Sequence, residues 1–254
     1  MFYISCIPMP CKGVSLMDRI SSGVPGLDKL IVGGIPRGYS MSLKGPPGSG
    51  KTTMALQFLI EGASKGETGL YISFKEPLSR VQHIADGYGW NIEKHLDNNL
   101  FLETLSTDDV FERSIPSLLA LIERYEAKRV VFDSLKKVVT GAKPFMKGEV
   151  EFDFDTFLRK LEQMGVTTIF VTNRENIQPE KIVFDALDFI FDGILILDIR
   201  IVGGEARNYV YVQKMRATAI DHGFRPLIFG KHGLEIRSKE SVSARVKGFF
   251  GDEE

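Results

Sequence analysis

Short apolar runs alternate with longer amphipathic segments along the first two thirds of the chain. Five short runs, most of them rich in β-branched and aromatic residues, predict buried strands at residues 39–44, 68–74, 99–105, 129–135 and 166–173. Between them, apolar positions at helical spacing predict helices at about residues 51–65, 77–88, 114–127 and 154–165. This alternation predicts an α/β fold with a mostly parallel sheet and helices on both of its faces.

The pattern differs on either side of this region. Residues 21–38 mix short apolar pieces with Gly and Pro, which predicts a turn-rich lead-in with at most one short helix, at residues 26–30. Near the other end, strand-like runs are separated by turns too short to contain crossover helices, at residues 189–200, 208–216, 225–230 and 233–238. The sheet is therefore expected to finish with antiparallel strands.

Composition indicates one globular domain and narrows the classes of function. Of the 254 residues, 43% are hydrophobic and 26% are charged, which excludes disordered, coiled-coil and collagen-like chains. The formal net charge of -1 argues against a protein held on nucleic acid or a membrane by bulk charge, although a local basic patch is compatible with it. We expect an N-terminal extension (1–19), one folded domain (20–238) and a flexible tail (239–254).

The number of cysteines and the N-terminal sequence indicate in which cellular compartment the protein is found. Cys6 and Cys11 are the only cysteines, so no disulfide or zinc framework supports the body of the chain. Residues 1–13 lack the basic and unbroken apolar regions of a signal peptide, and no stretch approaches the ~18 apolar residues of a membrane span. We expect a cytoplasmic protein without a membrane partner, whose translation could also start at Met17.

A glycine-rich segment, GPPGSGKTT, joins the first predicted strand to the first long helix. Its first eight residues fit G-x-x-x-x-G-K-[ST], in the strand–loop–helix context that this phosphate-binding motif requires. In such a P-loop, backbone N–H groups and the helix dipole bind phosphate, Lys51 reaches the β- and γ-phosphates, and Thr52 offers a hydroxyl to Mg²⁺. The alternative is a turn that only connects two elements. The predicted phosphate-binding residues are Gly45, Pro46, Pro47, Gly48, Ser49, Gly50, Lys51, Thr52 and Thr53.

Asp133 is the candidate for the second magnesium-associated group. It ends the apolar run RVVFD, and an acid in that position is costly unless it has a partner such as hydrated Mg²⁺. Asp133 or Ser134 could instead cap a helix. Thr172 and Asn173, at the tip of another predicted strand, either face the phosphates or cap a loop.

Three further segments carry candidate chemistry. Glu76 is the candidate base for the attacking water, or else a solvated acid in the first turn of a helix. Lys214 and Arg216 alternate on one face of a predicted strand, where they serve either a neighbouring subunit's γ-phosphate or a solvated edge strand. A basic loop (134–148) could track nucleic acid, although it lacks repeated aromatic residues. No N-K-x-D guanine signature occurs, which favours adenine, and hence ATP.

In the order GVPGLDKLIVGGIPRG, GPPGSGKTT, RVVFDS, KMRAT and HGLEI, these segments resemble the KaiC-like branch of the RecA/RadA superfamily of P-loop ATPases. The resemblance spans about residues 20–238. It implies a RecA-like core, a hexameric or related ring, ATP between subunits, and Lys214 and Arg216 acting in trans. It also implies that ATP drives rearrangement of a protein or nucleic-acid client.

The chain departs from the family's pattern in three places. Family members with a clock function carry two such domains, whereas this chain has one. Their phosphorylated Thr-Ser pair would fall near residues 173–175, where there is no hydroxyl pair, so autokinase activity is not expected. The family's Glu-Glu pair is Lys75-Glu76 here, and a protonated lysine cannot accept the water's proton.

Three functions are compatible with these residues. The first is a ring-forming ATPase with intersubunit sites, the second a nucleotide-gated assembly protein with negligible hydrolysis, and the third a recombinase-like module that binds single-stranded DNA. The Phe249-Phe250 pair in the tail could also dock a protein partner.

Overall fold

The computed structural model describes residues 18–74, 77–105, 115–134, 150–173 and 186–237, with residues 150–153 described by their backbone only. The helices are α1 (Leu27–Leu30), α2 (Lys51–Ser64), α3 (Leu78–Gly87), α4 (Ile115–Arg124) and α5 (Val150–Gln163). The strands are β1 (Arg19–Ile20), β2 (Ile35–Pro36), β3 (Ser40–Gly45), β4 (Gly69–Ser73), β5 (Leu100–Thr104), β6 (Arg129–Asp133), β7 (Thr167–Asn173), β8 (Gly193–Val202), β9 (Glu205–Met215), β10 (Arg225–Gly230) and β11 (Gly233–Ile236).

Within these residues, nine strands form one sheet in the order β11-β10-β9-β8-β3-β7-β6-β4-β5. The strands from β8 to β5 in this order run parallel, and β9, β10 and β11 are antiparallel to their neighbours. The predicted mostly parallel sheet with antiparallel C-terminal strands is confirmed. β3 lies in the middle, between β7 and β8, and every one of its residues is buried.

Helices cover both faces of the sheet, as the alternating pattern predicts. One apolar cluster joins α1, α2 and α3 to the sheet, and a second cluster joins α4 and α5 to the opposite face. Successive residues of β6 divide between them, since Val131 belongs to the first cluster while Val130 and Phe132 belong to the second. The strand is buried from both sides, which explains its continuous apolar sequence.

The segment before β8 differs from the prediction. The strand predicted from residue 189 begins only at Gly193, and Ala186–Phe189 form a 3₁₀ helix. This turn is fixed by polar contacts, because Asp188 forms a buried ion pair with Lys44 and the Asp192 carboxylate accepts the Ser40 N–H. The apolar pattern of the sequence does not reveal such polar contacts, and the predicted strand is therefore too long.

The lead-in contains a feature that the sequence pattern does not reveal. β1 and β2 pair antiparallel through two residues each, too few for an alternating pattern to be visible. The predicted short helix is present as α1. Other bounds also differ from the predicted ones; for example, α5 starts four residues before the predicted position and the strand at 129–135 ends at Asp133.

A chain of ion pairs joins the lead-in to the core. Arg37 lies 2.6 Å from Asp18 and 3.0 Å from Glu67, and Glu67 lies 2.6 Å from Arg129. Arg129 is only 1% exposed; it also donates to the carbonyls of Ser21 and Phe58. Burial raises the pKa of Glu67, but hydrogen bonds and charge from Arg129 and Arg37 outweigh it and lower the pKa overall.

Several predicted segments lie outside the described residues. These are the N-terminal extension up to residue 17, the basic loop after Ser134, and the tail with Phe249 and Phe250. Among the helices that are described, none is long and apolar enough to cross a membrane.

Candidate nucleotide-binding site

The P-loop leaves β3 at the edge of the sheet where the parallel strands end. Gly45 closes β3 and Lys51 opens α2, so the loop delivers its backbone to the N-terminus of a 14-residue helix. Gly48 and Gly50 have φ values of 79° and 94°, a conformation that residues with a side chain rarely adopt. Gly50 is one of the two fixed glycines of the motif, whereas Gly48 lies at a position that the motif leaves open.

The side chain of Lys51 folds back over its own loop. Its Nζ lies 2.9 Å from the carbonyl oxygen of Gly45 and 2.7 Å from that of Pro46. The residue is 8% exposed. Burial lowers the pKa of Lys51, and the charge of Asp133 acts in the opposite direction. The ammonium is therefore held inside the loop by weak acceptors that phosphate oxygens can replace.

Thr52 and Asp133, the two residues predicted to hold the metal, contact each other at the end of the parallel strands. The Thr52 hydroxyl donates to Asp133 Oδ2 at 3.0 Å, although 81 residues separate the two in the chain. Asp133 is the last residue of β6, two strands away from β3. A hydroxyl beside a carboxylate is a hard-oxygen donor set that fits Mg²⁺.

Tyr71 was missed by the sequence reasoning. Its hydroxyl donates to the same Asp133 Oδ2 at 2.8 Å, and the residue is fully buried in β4. β4 pairs with β6 so that Tyr71 lies opposite Val131, which places Tyr71 and Asp133 two positions apart on one face. A usable signal exists, because a buried tyrosine hydroxyl needs a polar partner and Asp133 ends the next strand.

Thr172 and Asn173 reach the same edge. In the parallel pairing of β7 with β3, Thr172 lies opposite Lys44 and Asn173 opposite Gly45. Asn173 is exposed there. The register therefore places both residues beside the start of the P-loop, with their side chains on opposite faces of the sheet.

Lys214 and Arg216 lie toward the opposite end of the parallel strands, away from the P-loop. Met215, between them in sequence, pairs with Gly193, which pairs with Met41 near the start of β3. Four residues of strand then separate this level from Gly45, or about 13 Å. Neither side chain is thus placed beside the P-loop of its own chain.

Both cations contact the turn that precedes β8. Lys214 Nζ lies 2.8 Å from the Asp188 carbonyl oxygen, and Arg216 Nη2 lies 2.7 Å from that of Phe189. Arg216 also pairs with Asp192 at 3.1 Å, and its side chain is 50% exposed. Burial, followed by the charge of Arg216, lowers the pKa of Lys214. β9 lies between β8 and β10, so the alternative of an edge strand is wrong.

Lys75 and Glu76 lie outside the described residues, so the role of Glu76 stays a prediction. They follow Phe74, whose N–H donates to the Asp133 carbonyl at 2.8 Å. The chain therefore passes the Asp133 end of β6 immediately before these two residues.

A parallel sheet with a P-loop after its central strand, and an acid two strands away that contacts the P-loop threonine, defines a RecA-like P-loop fold. The chain belongs to the KaiC ATPase family, whose sequence profile matches residues 20–241. The prediction from the sequence motifs is confirmed.

Individual relatives agree with this assignment. The chain is 28% identical to the circadian clock protein KaiC3 of Synechocystis, with 91% of this chain and 48% of that protein aligned. It is also 28% identical to a UPF0273 protein of Thermotoga maritima, over 93% of this chain and 100% of that protein. The chain thus spans about half the length of the clock proteins it matches.

The fold also matches a solved structure. The KaiC-like protein of Pyrococcus horikoshii superimposes with a TM-score of 0.72 at 28% sequence identity, covering 87% of this chain and 100% of that one. Family membership implies nucleotide binding.

Proposed function

We propose that residues 20–238 form an ATP-binding domain that hydrolyses Mg-ATP at sites between the subunits of a ring, hexameric by analogy with the family, and couples turnover to rearrangement of a protein client. The observation that carries this proposal is the contact between Thr52 and Asp133, with Lys51 folded into the adjacent loop. A turn that merely connected a strand to a helix would not require this group of residues.

Each residue has a defined task. N–H groups of the loop from Gly45 to Gly50 and the start of α2 bind phosphate oxygens, and Lys51 donates to the β- and γ-phosphates. Thr52 and Asp133 hold the metal and its water shell, while Tyr71 keeps the Asp133 carboxylate in position by its hydrogen bond. Magnesium held by these residues would offset the negative charge of the bound phosphates. Glu76 is the proposed base for the attacking water.

Lys214 and Arg216 complete the site of a neighbouring subunit in this proposal. Their position at the end of the strands opposite the P-loop supports this role. In a head-to-tail contact, that side of one subunit faces the P-loop side of the next. The turn from Asp188 to Asp192 holds both cations on the surface of the donor subunit. Arg216 keeps half of its side chain exposed and is thus able to bind a partner's phosphate.

Replacing Arg216 with alanine is expected to lower the rate of phosphate release at least about 100-fold, since a transition-state arginine is typically worth 10³–10⁵. The measurement is steady-state phosphate release with Mg-ATP. Arg207→Ala, an exposed arginine on the same strand, is the matched control and should leave the rate unchanged.

Assembling rings from two different variants distinguishes a role of Arg216 in the neighbouring subunit's site from a purely structural role. Arg216→Ala and Lys51→Ala proteins are each inactive alone, but co-assembled rings contain some interfaces with an intact loop facing an intact arginine. Activity should therefore reappear in the mixture. Absence of any recovery in co-assembled rings would argue that Arg216 serves its own subunit.

A second candidate function is favoured by Lys75, which stands where the family carries a glutamate. In it, ATP binding gates assembly while hydrolysis is negligible. Phosphate release and ATP-dependent oligomer mass, measured on wild type, Glu76→Gln and Lys75→Glu, separate the two. An active wild type that Glu76→Gln silences supports the ATPase. A silent wild type that assembles with ATP and is activated by Lys75→Glu supports the gated assembly protein.

A further inference from the structure

Asp192, immediately before β8, lies between the start of β3 and Arg216. Its backbone N–H donates to the Ser40 carbonyl at 2.9 Å, and its own carbonyl accepts the Arg216 N–H at 2.8 Å. The carboxylate repeats both links, because Oδ2 accepts the Ser40 N–H at 2.9 Å and Oδ1 accepts a hydrogen bond from Arg216 Nη1 at 3.1 Å. Asp192 therefore ties the first residue of β3 to the arginine through its main chain and through its side chain.

The guanidinium of Arg216 is held at a second point. Its Nη2 donates to the Phe189 carbonyl at 2.7 Å, and the same carbonyl accepts Lys214 Nζ at 3.1 Å. The 3₁₀ turn that supplies this carbonyl is fixed in its turn by the buried ion pair of Asp188 with Lys44. Because both Nη atoms are bound, the orientation of the planar guanidinium is set, although half of the side chain is exposed.

The two carboxylate oxygens of Asp192 have different tasks. Oδ2 satisfies the N–H of Ser40, a residue that is 1% exposed, so it is needed by the fold. Oδ1 bonds an arginine whose side chain is 50% exposed, and exposed ion pairs contribute little to stability. Backbone hydrogen bonds already join the two residues. What Oδ1 adds is order, since a long arginine side chain is otherwise spread over many rotamers.

We propose that Asp192 is a positioning residue that orients Arg216 toward the γ-phosphate bound by the next subunit, an inference that rests on the proposed function. Arg216 acts on the phosphate, and Asp192 acts only through Arg216. A guanidinium that is oriented before the nucleotide arrives meets the transition-state charge without a further ordering cost. Loss of the Oδ1 contact therefore slows phosphate release and does not change the binding of ATP by the subunit's own P-loop.

Asp192→Asn separates the two oxygens. The asparagine oxygen still accepts the Ser40 N–H, but the amide NH₂ then faces Arg216, and two donors cannot bond to each other. This variant should unfold at the temperature of wild type and bind Mg-ATP with unchanged affinity, while steady-state phosphate release falls about tenfold. Asp155→Asn removes the carboxylate from an exposed pair with Arg159; it is the matched control and should leave the rate unchanged.

Mixed rings show in which subunit Asp192 acts. They are assembled from Lys51→Ala subunits, which supply an intact arginine, and Arg216→Ala subunits, which supply an intact P-loop. Asp192→Asn is then added to one type of subunit or to the other. The recovered phosphate release should fall about tenfold when Asp192→Asn is in the Lys51→Ala subunits, and stay the same when it is in the Arg216→Ala subunits. A general structural defect would not produce this asymmetry.

The mixed rings can also contradict the positioning role. Equal recovered rates for the two placements overturn it, and so does a loss confined to the Arg216→Ala subunits. If the mixture without Asp192→Asn recovers no activity, the proposed action of Arg216 in the neighbouring site fails, and this inference fails with it. Should Asp192→Asn subunits not fold, Asp192→Ser takes their place in the same two mixtures, because a hydroxyl can accept the Ser40 N–H without carrying a charge.

Discussion

Replacing Lys51 with alanine is expected to weaken the binding of Mg-ATP at least about 100-fold. Lys51 is the cation that the P-loop encloses, and its present hydrogen bonds go to the carbonyls of Gly45 and Pro46. A hydrogen bond to a charged group contributes about 1.5–3 kcal/mol, so losing two of them to the phosphates gives an effect of this size. Titration calorimetry with Mg-ATP on the purified protein measures it directly.

Lys65→Ala is the matched control for this prediction. Lys65 directly follows the other end of α2, is 54% exposed, and pairs with Glu61 at 2.7 Å. It should bind Mg-ATP like wild type, with a similar thermal stabilisation by the ligand. An affinity for Lys51→Ala within threefold of wild type would mean that the nucleotide binds elsewhere.

Replacing Arg129 with alanine is expected to reduce the free energy of unfolding by about 3–5 kcal/mol, the usual cost of breaking a buried ion pair. The substitution removes the partner of Glu67 and the donor to the carbonyls of Ser21 and Phe58. It also leaves a gap over Gly62, where the arginine stem packs so closely that a Cβ would lie 2.4 Å from Arg129 Cδ. Urea unfolding followed by circular dichroism measures the change.

Two comparisons make the Arg129 experiment specific. Arg159→Ala breaks an ion pair of similar length, 2.7 Å, but one in which the arginine is 70% exposed, and it should leave the unfolding midpoint unchanged. The pH dependence supplies the second comparison. Because the pKa of Glu67 is lowered in the folded state, its contribution is present above the ordinary value of 4.5 and is lost as pH falls through the lower, folded value. Wild type should therefore lose more stability on acidification than Arg129→Ala; equal losses would contradict this assignment.

The parts of the molecule that depend on local sequence could be predicted from it. The P-loop is a contiguous motif, and Gly48 and Gly50, the glycines expected to let the backbone turn tightly, have positive φ. The parallel sheet follows from the alternation of strands and helices, and the antiparallel strands follow from short turns. Asp133 was identified because an acid at the end of an apolar run needs a partner, and the contact with Thr52 provides one.

The parts that depend on distant contacts could not be predicted. Gln57 fastens β11 to α2 across 177 residues of sequence, and nothing near it in the chain indicates that partner. Tyr71 is an intermediate case: a buried tyrosine hydroxyl indicates that a polar partner is needed, but choosing Asp133 as that partner requires the strand order. Predicting at which end of the strands Lys214 and Arg216 lie likewise requires knowing that β9 runs antiparallel to β8.

The central position of β3 also determines when the phosphate-binding loop can form. β3 is synthesised before the other strands of the large sheet, yet it contacts Thr168 and Asp192 across 128 and 152 residues of chain. Such non-local pairing is slow to form, and a strand whose neighbours have not yet been synthesised is exposed to misassembly. The nucleotide site is therefore expected to form only after β7 and β8 have paired with β3. The effect of the nucleotide on folding should be to retain the finished domain by slowing its unfolding, and not to guide the early chain.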